Sequence, residues 1–219
     1  MATKKKEQNH AERLAQEQKA ISVSQFFERN RHLLGFDNPI KALSTTIKEL
    51  VDNSLDACQE INILPELTIQ IKQKAEKKFI IIVEDNGPGI VKEQIPKVFA
   101  KLLYGSKFSK MRQSRGQQGI GVSASVLYGQ LTTGKSSKIT SKIDPKKPAH
   151  FYELHIDVNT NEPEIVQEKE IEWLNKDHGI KVEIELEGKY QRGRLSVDEY
   201  LKQTAISNPH ANITYIPPD

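Results

Sequence analysis

The stretch "IKELVDNSLDA", Ile47 to Ala57, decides how the chain is read. At roughly 100° per residue along a helix, Glu49, Asp52, Asn53 and Asp56 fall on one arc. Leu43, Ile47, Leu50, Val51, Ser54, Leu55 and Cys58 fall on the arc opposite. One side is suited to burial; the other gathers carboxylates and an amide. Read by itself, the polar side is equally the solvated face of an amphipathic helix. The flanks complete the element. In "DNPIKALSTTIKELVDNSLDACQEI", Asn38 stands where a cap belongs, and Pro39 suits the first helical position, where a missing N–H costs nothing.

Around this helix lie 219 residues, 37% hydrophobic and 28% charged, the composition of a water-soluble domain with a sizeable core. No apolar run is long enough to span a bilayer, and the charged start "MATKKKEQNHAERLAQEQKA" is no secretory signal. The single cysteine, Cys58, excludes a disulfide framework, and there is no paired His/Cys spacing for zinc. Net charge is only +3, but it is unevenly spread. Between Glu93 and Asp144 there is no acidic residue, while Lys97, Lys101, Lys107, Lys110, Arg112, Arg115, Lys135, Lys138 and Lys142 all lie there. Such a basic middle suits nucleotide phosphates or nucleic acid, or is simply an uneven solvated surface.

Other elements follow from periodicity and caps. "SVSQFFERN" reads as a short helix capped by Ser22 or Ser24, "ELTIQIKQK" as a half-buried strand, "KFIIIVED" as a fully buried one. "KEQIPKVF" reads as a short helix broken near Pro96. The polar, basic run from Ala100 to Gln118 is long for a structureless loop, as functional lids are. "GIGVSASVLYGQL" starts a small-residue helix. "SKITSKI", "HFYELHIDV", "EPEIVQEKEIEW", "IKVEIELEG" and "ANITYI" read as strands, and "SVDEYLKQTAIS" as a helix. Long helices with a run of antiparallel-type strands predict an α+β fold, a two-layer α/β sandwich.

Two glycine clusters carry the chemistry. "DNGPGI" puts Asp85 at the end of a strand and Gly87 and Gly89 in the turn, where glycine lets a flat ligand approach the backbone. A carboxylate there can accept from an exocyclic amine such as that of adenine, though an Asn-Gly turn alone is commonplace. "RGQQGIGVSASV" brings Gly116, Gly119 and Gly121 into a helix start, whose N–H groups and dipole favour an anion. Alone it is equally a hinge or a point of tight helix packing. No strand immediately precedes it and no Gly-Lys-Ser/Thr is present, so it is neither a dinucleotide fingerprint nor a Walker loop.

The order of these elements is more telling than any one of them. Glu49-xxx-Asn53 on a helix, Asp85-x-Gly87-x-Gly89 after a strand, a basic lid, then Gly116-xx-Gly119-x-Gly121 resembles the ATP-binding fold shared by gyrase, heat-shock chaperones, MutL and histidine kinases. From about Ser24 onward the chain is similar to the B-subunit family of type IIB DNA topoisomerases (topoisomerase VI). The similarity is carried by "FFERNRHLLGFDNPIKALSTTIKELVDNSLDA", "LLYGSKF", "RGQQGIGVSASVLYGQLTTGK" and "KKPAHFYELHIDVNTNEPEI". MutL-like proteins and histidine kinases fit less well.

That resemblance implies a Bergerat-type sandwich with a mixed, largely antiparallel sheet and helices on one face. It implies ATP and Mg²⁺ as cofactors, Glu49 as the base that activates water, and Asn53 as the Mg²⁺ ligand. Asp85, with Gly87 and Gly89, would take the adenine. Ser106 and Lys107 would lie in the lid, and Gly116, Gln117, Gln118, Gly119, Ile120, Gly121, Val122 and Ser123 would wrap the triphosphate. Asp52 is expected to be solvated and Asp56 structural. Residues 1–23 would form an extension that is flexible or exchanged between protomers, and 24–219 the ATPase domain. The helix–turn and transducer domains of the family are not found, so a fragment that hydrolyses ATP slowly or not at all is expected.

The implied partners are the topoisomerase VI A subunit in an A2B2 heterotetramer, a second copy upon ATP binding, and double-stranded DNA, with no membrane. The location would be cytoplasmic and nucleoid-associated in a prokaryote, or nuclear in a eukaryote. The alternatives are a MutL-like ATPase and a non-hydrolysing structural or DNA-binding partner of the same fold. One departure stands out. In "HGIKVEIEL", Ile180 occupies the place where the family usually has a threonine near the adenine, and its side chain cannot donate a hydrogen bond.

Overall fold

The structure is a computed structural model that describes residues 22–104 and 120–219. The extension and most of the lid, including Ser106, Lys107, Gly116, Gln117, Gln118 and Gly119, lie outside the described residues.

Helix α1 (Val23–Leu34) begins at Ser22, whose hydroxyl accepts from the Gln25 N–H, and ends at Gly35 with φ +80°. It runs further than the "SVSQFFERN" reading because no breaker precedes Gly35. Helix α2 (Pro39–Glu60) is capped by the Asn38 side chain, which accepts from the Lys41 N–H, and has Pro39 in its first turn. Its buried side includes Leu43, Ile47, Leu50, Val51, Leu55 and Cys58, as the periodicity predicts.

The strands are β1 (Glu66–Ala75), β2 (Lys78–Glu84), β3 (Ser137–Lys142), β4 (Ala149–Asp157), β5 (Glu162–Ile171), β6 (Gly179–Glu187) and β7 (Asn212–Ile216). They form one sheet in the order β5-β4-β3-β6-β2-β1-β7. The β1–β7 pair is parallel and the other neighbours are antiparallel. Helices α3 (Ile95–Ala100), α4 (Gly121–Thr133) and α5 (Val197–Ser207) complete the set, giving the expected two-layer α+β sandwich.

Alternation sets the register against the helices. Ile69 and Ile71 of β1, Phe79, Ile81 and Val83 of β2, and Val182, Ile184 and Leu186 of β6 are all buried in the core. "KFIIIVED" is not fully buried as its composition suggests. Its burial alternates, with Ile80 and Ile82 only half covered. Helices pack over one face, so only every second side chain meets them.

Helix α4 is the exception to amphipathic patterning. Every residue from Ser123 to Gly129 is buried, because the helix packs against α2 and β6, and its own Tyr128 meets Phe27 and Phe36. Pro96 does not break its helix. A single 3₁₀ turn, Lys92–Gln94, leads into α3, and Pro96 sits in the first turn, where proline is tolerated.

Candidate active site

The polar arc of α2, the turn after β2, the start of β6 and the start of α4 face one cavity of about 350 Å³. Glu49, Asn53, Asp56, Asp85, Gly89, Gly121, Val122 and Ser123 line it, with an apolar wall that includes Leu50, Val83, Ile90, Phe99, Ile180 and Val182. A volume of that size suits a small organic ligand, and the wall suits a flat ring. A second concavity, of about 360 Å³, lies between the ends of α2 and α5 near Leu64, Asn208 and His210. It gathers neither carboxylates nor the glycine turns.

Asp85 is only 4% exposed. Its Oδ2 accepts from the Ser54 hydroxyl at 2.6 Å, and its Oδ1 accepts from the N–H groups of Gly87 at 2.9 Å and Ile180 at 3.1 Å. Burial pushes this carboxyl above the usual aspartate range, and the three donors oppose that push by favouring the ionised form. The backbone around it is equally constrained. The Asp85 N–H donates to the Ile180 carbonyl at 2.8 Å. Gly179 has φ +144°, and a Cβ there would overlap the Asp85 carbonyl.

The turn is pinned from several sides. The Asn86 amide donates to the Leu64 carbonyl and accepts from the Glu66 N–H. Its oxygen also faces Cys58 Sγ at 3.4 Å, and burial pushes that thiol up to about 12. Gly89 has φ +72°, and any Cβ there would run into the Lys142 carbonyl. The second glycine of DNGPG is therefore demanded by β3, and ligand approach alone does not explain it. One turn on, Ser141 Oγ bridges both the N–H and the carbonyl of Ile90.

Opposite Asp85, the Asn53 amide donates to the Glu49 carbonyl at 2.7 Å, turning its oxygen away from the helix backbone. Glu49 reaches to the first residue of α4, where it packs on the Cα of Gly121. Ile120 stands at the N-cap of α4 and offers no side-chain hydrogen bond to the first turn. A helix start of this kind carries partial positive charge and unpaired N–H groups.

The structure thus brings Glu49, Asn53, Asp85, Gly87, Gly89, Ile120, Gly121, Val122 and Ser123 to one end of the sheet. Asp52, expected in solvent, is instead buried and accepts from the Tyr200 hydroxyl at 2.9 Å, tying α2 to α5. It lies at the edge of the polar arc, where α5, from far along the chain, covers it. Asp56 lines the cavity.

Sequence reasoning missed Ser54, assigned to the apolar arc, and Tyr104, which lines the cavity while donating to Gln94 Oε1 at 2.7 Å. A hydroxyl on a buried arc needs a partner, and that requirement was the available signal for Ser54. Ile180 serves through its backbone. Its N–H supplies a donor to Asp85 that its side chain cannot.

Residues 41–181, well over half of the chain, match the family described as histidine kinase-, DNA gyrase B-, and HSP90-like ATPase. The chain is 59% identical over 210 residues to the B subunit of type 2 DNA topoisomerase 6 from Methanococcoides burtonii, covering 95% of this chain and 34% of that protein. It is 56% identical over 200 residues to the same subunit from Archaeoglobus fulgidus, covering 91% and 33%. It spans about a third of the length of the curated relatives it matches. Among solved structures, it is similar to the topoisomerase IV ATP-binding domain of Francisella tularensis in complex with a small-molecule inhibitor. The TM-score is 0.53 at 18% identity, covering 90% of this chain and 91% of that one. That likeness is one of fold.

Proposed function

Because the chain belongs to the histidine kinase-, DNA gyrase B- and HSP90-like ATPase family, we propose that it binds ATP in this cavity as the ATPase region of a topoisomerase VI B-type subunit. The carrying observation is Asp85, a buried carboxylate fixed by three donors across the cavity from Glu49 and Asn53. The Asp85 carboxylate accepts the adenine amine, and the apolar wall takes the ring. The start of α4, with Ile120 to Ser123, receives phosphate oxygens. By the same reading Ser106, Lys107, Gly116, Gln117, Gln118 and Gly119, which lie outside the described residues, belong to the set of phosphate contacts that the family resemblance implies.

Asn53 suits a Mg²⁺ site because its nitrogen is committed to the Glu49 carbonyl, which presents the oxygen as the coordinating end. Among the described residues no cluster of three or more acidic, histidine or cysteine ligands exists. That matches Mg²⁺ chemistry, in which phosphates and waters fill most positions. Bound there, Mg²⁺ would neutralise phosphate charge. Glu49, one turn before Asn53, is the general base: it orients the attacking water and takes its proton.

In the whole protein, this region would dimerise on ATP and, with an A subunit in an A2B2 assembly, gate passage of one DNA duplex through another. A cytoplasmic, nucleoid-associated setting, or a nuclear one in a eukaryote, goes with that role. Calorimetry with a non-hydrolysable ATP analogue and Mg²⁺ tests the first step. Saturable binding that Asn53→Ala weakens only when Mg²⁺ is present supports the proposal. Absence of binding by folded protein overturns it.

A further inference from the structure

Lys142, the last residue of β3, belongs by sequence to the basic middle of the chain, yet it is only 6% exposed. Its Nζ donates to the carbonyls of Trp173 at 3.0 Å and Lys176 at 2.7 Å. Both carbonyls belong to residues 172–178, the segment that links β5 to β6. An amino group taken out of water is costly to bury unless acceptors satisfy its N–H groups. A methionine would fill similar space without that cost, so packing alone does not call for a lysine here.

Through its backbone the same residue meets the Asp85 turn on two sides. Its carbonyl lies against the Cα of Gly89, and it stands opposite Gly179 in the β3–β6 ladder. Gly179 in turn rests on the Asp85 carbonyl, and the next residue, Ile180, gives its N–H to Asp85 Oδ1 at 3.1 Å. Two further bonds tie the linking segment to the end of β2. Lys176 Nζ pairs with Glu84 Oε1 at 3.3 Å, and His178 Nδ1 donates to the Gly87 carbonyl at 2.7 Å. A carbonyl can only accept, which places a proton on Nδ1. The segment that leads into Gly179 and Ile180 is thus held from β2 and, through Lys142, from β3.

We propose that Lys142 is a positioning residue for adenine recognition: by holding residues 172–178 it fixes the Ile180 N–H that orients the Asp85 carboxylate. This rests on the reading of Asp85 as the acceptor of the adenine amine. Lys142 does not line the cavity and acts only through the segment it holds. A binding carboxylate has to be kept within about 0.5 Å of its productive place by the groups behind it. Ser54 and Gly87 donate to Asp85 from α2 and from the turn itself. Ile180 donates from the start of β6, and its place depends on the segment that Lys142 anchors.

The test compares the whole chain with Lys142→Met and with Lys138→Met, which removes a lysine of the same strand that pairs with Glu183. Each is titrated by calorimetry, with Mg²⁺, against a non-hydrolysable ATP analogue and against the matching purine analogue that lacks the 6-amino group. Hydrogen exchange at the Ile180 and Gly87 amides is followed by NMR without nucleotide. Lys142→Met should bind the ATP analogue about fivefold more weakly, the worth of one ordinary hydrogen bond, and bind the amine-free analogue as the wild type does. Its Ile180 amide should exchange faster, while that of Ile184, in the middle of β6, should not change. Lys138→Met should match the wild type throughout. Equal losses on the two ligands, unchanged exchange at Ile180, or the same changes in Lys138→Met would each overturn the inference. If Lys142→Met does not fold, Lys142→Gln, which keeps a shorter donor, is read in the same way. If the wild type binds neither analogue, the ATP reading fails and exchange at Ile180 decides alone: acceleration keeps Lys142 as the anchor of the Asp85 turn, and no change discards it.

Discussion

The Glu49 carboxylate rests directly on the Cα of Gly121, so closely that a Cβ at residue 121 would fall inside it. The general base proposed for hydrolysis and the first residue of the helix proposed to receive phosphate are therefore fitted to one another. Gly121→Ala must displace Glu49, and it should cost about 1–3 kcal/mol of stability through overpacking. Adding Glu49→Ala should restore most of that loss in urea denaturation. If the second substitution restores nothing, the two residues are not coupled in this way.

Asp85→Asn separates recognition from folding. Asparagine can accept from Gly87 and Ile180 through Oδ1 and donate to Ser54 through Nδ2, preserving all three hydrogen bonds. Stability near neutral pH should hold or rise, because a buried charge is removed. Analogue affinity should fall by about tenfold or more, equivalent to about 1.4 kcal/mol, as an N–H then opposes the adenine amine.

The pH dependence of Asp85 has a definite sign. Its folded-state pKa is raised, chiefly by burial, so the folded chain binds this proton more tightly than the unfolded chain does. As pH falls through the raised value, this one group favours folding, while nucleotide binding weakens because the carboxylate is lost. Below the ordinary aspartate range both states are protonated and the contribution is constant. Asp85→Asn should abolish this component of the affinity profile.

Tyr200→Phe should remove about 1–3 kcal/mol of stability by leaving the buried Asp52 without its phenol donor. Analogue affinity should be unchanged, since Asp52 faces α5 and does not line the cavity. A matching loss of affinity would return Asp52 to the site.

Cys58 should resist alkylation in the native protein. Its thiol is fully buried and pushed up to about 12, so thiolate is scarce at neutral pH. Labelling with a maleimide should track global unfolding and accelerate in parallel with it across a denaturant series.

What was legible in the sequence was whatever is local. Asn38 and Pro39 announce the start of α2, apolar spacing gives its buried side, and glycines mark the turns beside Asp85 and before α4. Partners brought together by tertiary packing were not legible. Asp52 looked solvated because Tyr200, 148 residues away, is what buries it. Ser54 looked like core because only the fold sets it opposite Asp85. Ile180 looked like a lost donor because a side-chain comparison does not see its backbone N–H. Gly89 looked like an opening for a ligand, yet the Lys142 carbonyl already fills the space.

Strand β6 acts as a spacer. From Ile180 to Glu187 it runs seven residue steps, at about 3.3 Å each, so it holds the wall of the cavity about 23 Å from the β1–β2 turn. That separation is nearly three times the Debye length of about 8 Å at physiological ionic strength. Charge on a ligand proposed to lie beside Asp85 would scarcely be felt at the far end of the strand. Any influence of one end on the other has to travel through the packed strands and helices as a mechanical displacement.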